Sequence, residues 1–324
     1  MMPKFRGDGD DWLDDEDDSS RNRSRKKKPQ VTFLKQNQAN ATVAEVYPAQ
    51  CLVFTDIGEK FNCTYRKAKL PNTGARDRAP VAVGDRVQID PIAKAVEGVC
   101  ERKNEIVRPA PMREIRHVLV SNLDTLVIVA SCEQPEFSPG LVDRFLIAAQ
   151  HQNIRPIICI SKTDLMTDKT EKLWNHYKNL GFSVIEVCAK TGTNMDALKS
   201  EIDSQWTAFC GHSGVGKTSL LNTLTQKTIG KTNEVSSSTG KGQHTTTSAM
   251  IIEGTKWIDT PGIREFGLMG IEPENLKKYF PEFHGLTCAV ESCNHNTEDG
   301  CKAHALPRYA SYRRILDSLL SGEN

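Results

Sequence analysis

The segment Gly211-His212-Ser213-Gly214-Val215-Gly216-Lys217-Thr218 narrows the possible folds of this chain more than any other stretch. The apolar run Thr207-Ala208-Phe209-Cys210 precedes it, and the helical run Ser219-Leu220-Leu221 follows. A strand that turns through spaced glycines into a helix gathers backbone N–H groups around one point, at the positive end of the helix. That point is a seat for phosphate. Lys217 is spaced to pair with β- and γ-phosphate oxygens, and Thr218 to ligate Mg²⁺, with Ser219 in the same first turn. A chance glycine-rich turn is the competing explanation, and the flanking strand and helix count against it.

The surroundings read as an α/β sheet. Leu126-Val127-Ile128-Val129-Ala130 is apolar at every position, as in a strand covered on both faces. Ser138-Pro139-Gly140 opens a helix with Leu141, Phe145 and Ala148/Ala149 on one face. Pro156 to Ile160 and Ser183 to Val187 are further strands, and Asp168 to Asn179 is a helix that stops at Gly181. Asn194 caps a helix that turns Met195, Leu198 and Ile202 inward. With segments near 247–253 and 255–258, six strands and their helices make the sheet.

The flanks differ in texture. Residues 8–18 carry eight acids and residues 21–28 six bases, a local asymmetry that the whole chain's net charge of +1 conceals. So polar a segment cannot offset its ordering entropy, so residues 1–38 are expected to be a disordered charged tail. Residues 39–110 hold short alternating stretches such as Thr42 to Val46, Cys51 to Phe54 and Val81 to Ile89, expected to form a small all-β barrel resembling an OB-fold. Tyr65-Arg66-Lys67-Ala68-Lys69 and Arg76-Asp77-Arg78 give it a basic surface, suited to RNA or simply solvated. Pro109 and Pro111 mark a linker to an α/β domain over 111–269, and 270–324 is expected to be mostly helical.

No apolar run approaches the roughly 18 residues that span a bilayer, and the N-terminus has no apolar h-region. No membrane role is expected. Six of the ten cysteines (Cys51, Cys63, Cys132, Cys159, Cys188 and Cys210) fall in apolar segments, where a cysteine is usually a small buried hydrophobe. A reducing cytoplasm fits this usage.

Four further groups carry chemistry. Trp257-Ile258-Asp259-Thr260-Pro261-Gly262 puts Asp259 at a strand end, where a second magnesium-side carboxylate belongs, and offers the Gly262 amide to a γ-phosphate. Ser161-Lys162-Thr163-Asp164 resembles the Asn-Lys-x-Asp element of GTPases, in which Asp164 would accept from guanine N1–H and the N2 amine. Ser replaces Asn there, which puts the bonds to base N7 and to the phosphate loop in question. Cys188-Ala189-Lys190 resembles the Ser-Ala-Lys element that meets guanine O6. Both elements follow strands, where open α/β sheets bind ligands. Fourth, Cys288-x4-Cys293-x-His295-x5-Cys301 supplies three thiolates and an imidazole, a four-ligand set with no position left for water and therefore structural. His304 is an alternative ligand.

The order of these pieces is unusual, because the guanine elements precede the phosphate loop, which precedes Asp259. Together with Gly242-Gln243-His244-Thr245-Thr246-Thr247 and Asp259 to Phe266, this order resembles the circularly permuted GTPases, and among them the family of small ribosomal subunit biogenesis GTPases. The resemblance implies a barrel, a permuted GTPase domain and a zinc domain. It also implies GTP hydrolysis stimulated by the small (30S) ribosomal subunit, contact with its rRNA, one structural zinc and Mg²⁺ with GTP. A cytoplasmic monomer is expected. Ile263 stands where Ras-like enzymes hold a water-orienting Gln, so slow intrinsic hydrolysis follows. His244 is the candidate to orient water, with Thr245 or Thr246 toward Mg²⁺ and the γ-phosphate; packing or RNA contact is the equal alternative for His244.

Overall fold

The computed structural model describes residues 32–66, 70, 79–108, 117–229, 249–260, 267–289, 293–296 and 299–322. The charged tail up to residue 31 lies outside these residues, as do Lys67 to Lys69, Arg76 to Arg78, Pro109 and Pro111.

Five strands make the N-terminal barrel: β1 (Ala41–Val46), β2 (Gln50–Thr55), β3 (Lys60–Tyr65), β4 (Arg86–Asp90) and β5 (Ala95–Val99). Their order is β1-β2-β3-β5-β4, and β4 returns to the start of β1 through Ala41↔Val87, so the barrel closes. Alternate inward residues, among them Val43, Cys51, Val53, Cys63, Val87 and Val96, fill it. On its surface, the Tyr65 hydroxyl donates to the Gln50 carbonyl (2.7 Å) and Arg66 pairs with Glu97. Two more strands, β6 (Glu105–Arg108) and β7 (His117–Ser121), lie either side of the proline segment and pair antiparallel.

The second sheet region is built from β8 (Thr125–Ser131), α1 (Pro139–His151), β9 (Arg155–Ser161), α2 (Asp168–Asn179), β10 (Ser183–Glu186), α3 (Met195–Ile202), β11 (Thr207–Cys210), α4 (Lys217–Thr225), β12 (Met250–Ile251) and β13 (Trp257–Asp259). The order is β10-β9-β8-β11-β13-β12, with the first five parallel and β12 antiparallel. All seven residues of β8 are buried, as its unbroken apolar run predicts. Leu126, Ile128 and Ala130 pack with α1 and α2, while Val127 and Val129 pack with α3 and α4. The helix read over Asp168 to Asn179 is α2, capped by Thr167 and followed by Gly181 at φ +85°. Asn194 does stand at the start of α3, but its side chain caps nothing; its amide donates instead to the Glu186 carbonyl (2.8 Å).

The barrel and the α/β sheet are joined edge to edge. The register of β1 shifts between Val43 and Glu45, and Glu45 then pairs with Met250 of β12. Such a bulge lets one strand serve two partners. After β13 no further strand follows among the described residues; Gly267 N–H donates to Val107 O (3.0 Å), and the chain continues through short 3₁₀ turns into α5 (Tyr309–Ser321). Helix α5 buries Tyr312, Ile315, Leu316 and Leu319, which form its packing face.

Candidate active site and metal centre

Gly211 must be glycine. It leaves β11 at φ +148°, and a Cβ there would stand 2.2 Å from the Val129 carbonyl of β8. Gly214 and Gly216 also hold positive φ (+84° and +87°), and Gly216 is the residue from which α4 starts. His212, Ser213 and Gly214 are exposed and Val215 is buried beneath them. Thr218 and Ser219 are exposed in the first turn of α4.

Lys217 Nζ donates to the Thr260 carbonyl (2.8 Å) just past β13. Burial pulls its pKa below the usual lysine range, and the neighbouring Asp259 opposes that. Asp259 is 7% exposed; burial raises its pKa, while Lys217 and the Thr260 amide lower it. Its Oδ1 is buried with no hydrogen-bond partner among the described residues. A buried carboxylate oxygen with no partner, beside an ammonium at the mouth of a phosphate loop, fits a site for a hydrated divalent cation carried on an anionic ligand.

The guanine-type elements come to the same place. Ser161, at the end of β9, donates its hydroxyl to the Val215 carbonyl (2.6 Å), with the Ala130 carbonyl 3.3 Å away. Lys162 is left-handed (φ +60°) and its ammonium lies across the phosphate loop, donating to the carbonyls of Gly214 (2.7 Å) and Gln134. Thr163 begins the 3₁₀ turn that holds Asp164. Cys188 Sγ–H points at Asp164 Oδ1 (3.4 Å), and Lys190 Nζ stands 3.7 Å from Oδ2. The Thr223 hydroxyl of α4 lies 3.0 Å from the Ser219 carbonyl and 3.4 Å from that of Ala189. The loops after β9, β10, β11 and β13 thus meet, though up to 98 residues separate Ser161 from Asp259 in the chain (259 minus 161). His244, Thr245, Thr246, Gly262 and Ile263 lie outside the described residues.

At the other end, the donor atoms of Cys288, Cys293, His295 and Cys301 lie within 4.8 Å of one another. His295 Nδ1 is 3.3 Å from Cys301 Sγ and 3.6 Å from Cys288 Sγ. Tetrahedral metal–sulfur and metal–nitrogen bonds of roughly 2.0–2.3 Å require donor separations of this size. His304 is outside the cluster, its ring against Tyr309 (4.6 Å). Tyr309 and Tyr312 donate to the carbonyls of Asn296 and Asn294 (2.6 Å for Tyr312), which ties the cluster loop to α5.

One constellation escaped the sequence entirely. Arg308 is 1% exposed; it donates from Nε to Asp143 of α1 (2.8 Å) and from Nη1 to Glu282 (3.0 Å). Its guanidinium also lies over the rings of Phe280, Tyr177 and Phe182, 4.6–5.6 Å from their centroids. Only its oppositely charged partners, 165 and 26 positions away, reveal its role.

A phosphate loop, a facing carboxylate at the end of β13 and a Lys-x-Asp element, in permuted chain order, define a circularly permuted P-loop GTPase. Residues 99–269 match the RsgA GTPase family. The chain is 36% identical to the small ribosomal subunit biogenesis GTPase RsgA of Chlorobaculum parvum over 86% of its length and 98% of that protein's. It is 35% identical to RsgA 2 of Bacteroides thetaiotaomicron, covering 84% and 94%. Among solved structures, YjeQ of Thermotoga maritima superposes with a TM-score of 0.65 at 28% identity, over 87% of this chain and 98% of that one. The fold of YloQ, a circularly permuted GTPase, is also shared (TM-score 0.59). The chain belongs to the RsgA GTPase family, whose reaction is hydrolysis of GTP.

Proposed function

We propose that this GTPase is a late maturation factor of the small (30S) ribosomal subunit, binding its rRNA and hydrolysing GTP faster when docked on it. The observation that carries the reading is the joining of three parts around one nucleotide site: the barrel continuous with the GTPase sheet through Glu45↔Met250, and the metal module attached directly after β13. The relatives' names point to the same subunit. We divide the chain as tail 1–38, barrel 39–110, GTPase domain 111–269 and metal domain 270–324.

In this reading the backbone of Gly211 to Gly216 cradles phosphate. Lys217 neutralises the charge that develops on the β–γ bridge. Asp164 selects guanine, with Lys162 along the base and Ala189 at O6. Thr218 and Asp259 would hold Mg²⁺, which supplies charge neutralisation at the β- and γ-oxygens. His244, Thr245, Thr246 and Gly262 are proposed to complete the site around the γ-phosphate and the attacking water. No helix among the described residues is long and apolar enough to cross a membrane. A cytoplasmic monomer suits a factor that docks on ribosomal subunits. The test is GTP turnover with and without purified small subunits.

The Cys₃His set is proposed to hold one structural zinc. Among the described residues the module around it has only short turns and one helix, so metal binding supplies much of its folding free energy. Chelation, or Cys293→Ser, is expected to release one zinc per chain and change the near-ultraviolet circular dichroism of Tyr309 and Tyr312, while GTP binding persists. A protein that carries no zinc and shows no spectral change on chelation would contradict this.

A further inference from the structure

We propose that this site reads guanine without reading N7 of the purine ring, because the residue at the head of its Lys-x-Asp element gives its only proton to the phosphate loop. The inference rests on the guanine reading above and deepens it.

An Asn side chain offers two N–H donors and one acceptor, enough to serve a loop carbonyl and a base nitrogen together. Ser161 has one hydroxyl proton. Its Oγ is 2.6 Å from the Val215 carbonyl and 3.3 Å from the Ala130 carbonyl, and the residue is 4% exposed. Carbonyl oxygens only accept, so the proton is committed to one of them. The lone pairs that remain on Oγ cannot serve N7, which is itself an acceptor.

Neighbouring side-chain donors also serve the loops' own acceptors. Lys162 Nζ gives two of its three protons to the Gly214 and Gln134 carbonyls, Cys132 Sγ–H donates to the Lys162 carbonyl (2.9 Å), and Cys188 Sγ–H to Asp164. The Thr163 amide donates to Val187 O (3.4 Å). The substitution of Ser for Asn therefore divides two tasks that one carboxamide would perform together. The tether between the guanine loop and the phosphate loop is kept, and the bond to N7 is given up. Selection against adenine stays with Asp164, since adenine lacks the N1–H and N2 amine.

The substrate class this implies is guanine nucleotides irrespective of the atom at position 7. Equilibrium competition on the full chain with GTP, 7-deaza-GTP and ATP tests it. GTP and 7-deaza-GTP are expected to bind within about twofold of each other, with ATP about a hundredfold weaker or more. Ser161→Asn restores a donor for N7, and this variant is expected to bind 7-deaza-GTP about threefold to tenfold more weakly than GTP. Ser161→Ala removes only the tether and should weaken both guanine nucleotides by the same factor. If the unaltered protein binds 7-deaza-GTP about fivefold or more weakly than GTP, the proposal is wrong. If instead ATP competes as well as GTP, it is the guanine assignment of Asp164 that fails.

Discussion

Lys217→Ala is expected to lower subunit-stimulated GTP turnover by about 10²–10³-fold, the loss that follows removal of one preorganised charge donor from a phosphoryl-transfer site. The side chain starts α4 immediately after Gly216, so its ammonium is delivered by the same turn that aims the loop amides. It is part-buried, with Thr260 and Asp259 as its partners. In such a setting a charge acts through less screening than at the surface, and it costs little reorganisation when charge develops on the substrate. Removing it also leaves Asp259 without its nearby cation, so nucleotide affinity should fall with turnover. Lys217 is not a core residue, and the thermal midpoint should move little. Steady-state phosphate release with saturating small subunits measures the effect; turnover within threefold of the unaltered protein would remove Lys217 from the catalytic site.

Arg308→Ala is expected to destabilise the protein by about 3–5 kcal/mol, the range for breaking a buried charge pair by deleting one partner. Asp143 is fully buried and Glu282 nearly so, and burial already pushes the Glu282 pKa up while Arg308 holds it down. Without the guanidinium both carboxylates lose their cation, and three aromatic rings lose the group that fills the space between them. Arg308→Lys should recover only part of this, because an ammonium cannot serve both carboxylates with a planar fork. Asp143 Oδ2 and Arg308 Nη2 have no partner among the described residues, so the cluster is not fully satisfied. Replacing both with leucine should therefore cost less than the two single changes added together. Urea unfolding followed by tryptophan fluorescence and by circular dichroism reports the midpoints; a shift under 1 kcal/mol for Arg308→Ala would show that the cluster does not brace α1 against the C-terminal module.

These two residues mark what was legible in the sequence. Lys217 sits in a motif whose spacing is set by local backbone chemistry: glycines for the turn, a helix start for the dipole. The same holds for β8, apolar at all positions because helices cover both faces, and for α2, bounded by Thr167 and Gly181. Arg308 carries no local signal. Its partner Asp143 is brought to it only by the docking of α5 on α1, and the pairing of Glu45 with Met250 that joins barrel to sheet is likewise a purely tertiary contact. Ser161 lies between these cases. Its departure from Asn was visible, but whether the hydroxyl would face the base or the loop depended on the approach of Val215 from 54 positions away.

The central claim, a GTPase switched by the small ribosomal subunit, is tested most directly by GTP turnover measured alone, with purified small subunits, and with large subunits as control. Slow turnover alone and about tenfold or greater stimulation by small subunits only is the predicted result. Equal turnover in all three conditions, or stimulation by large subunits, would contradict the account.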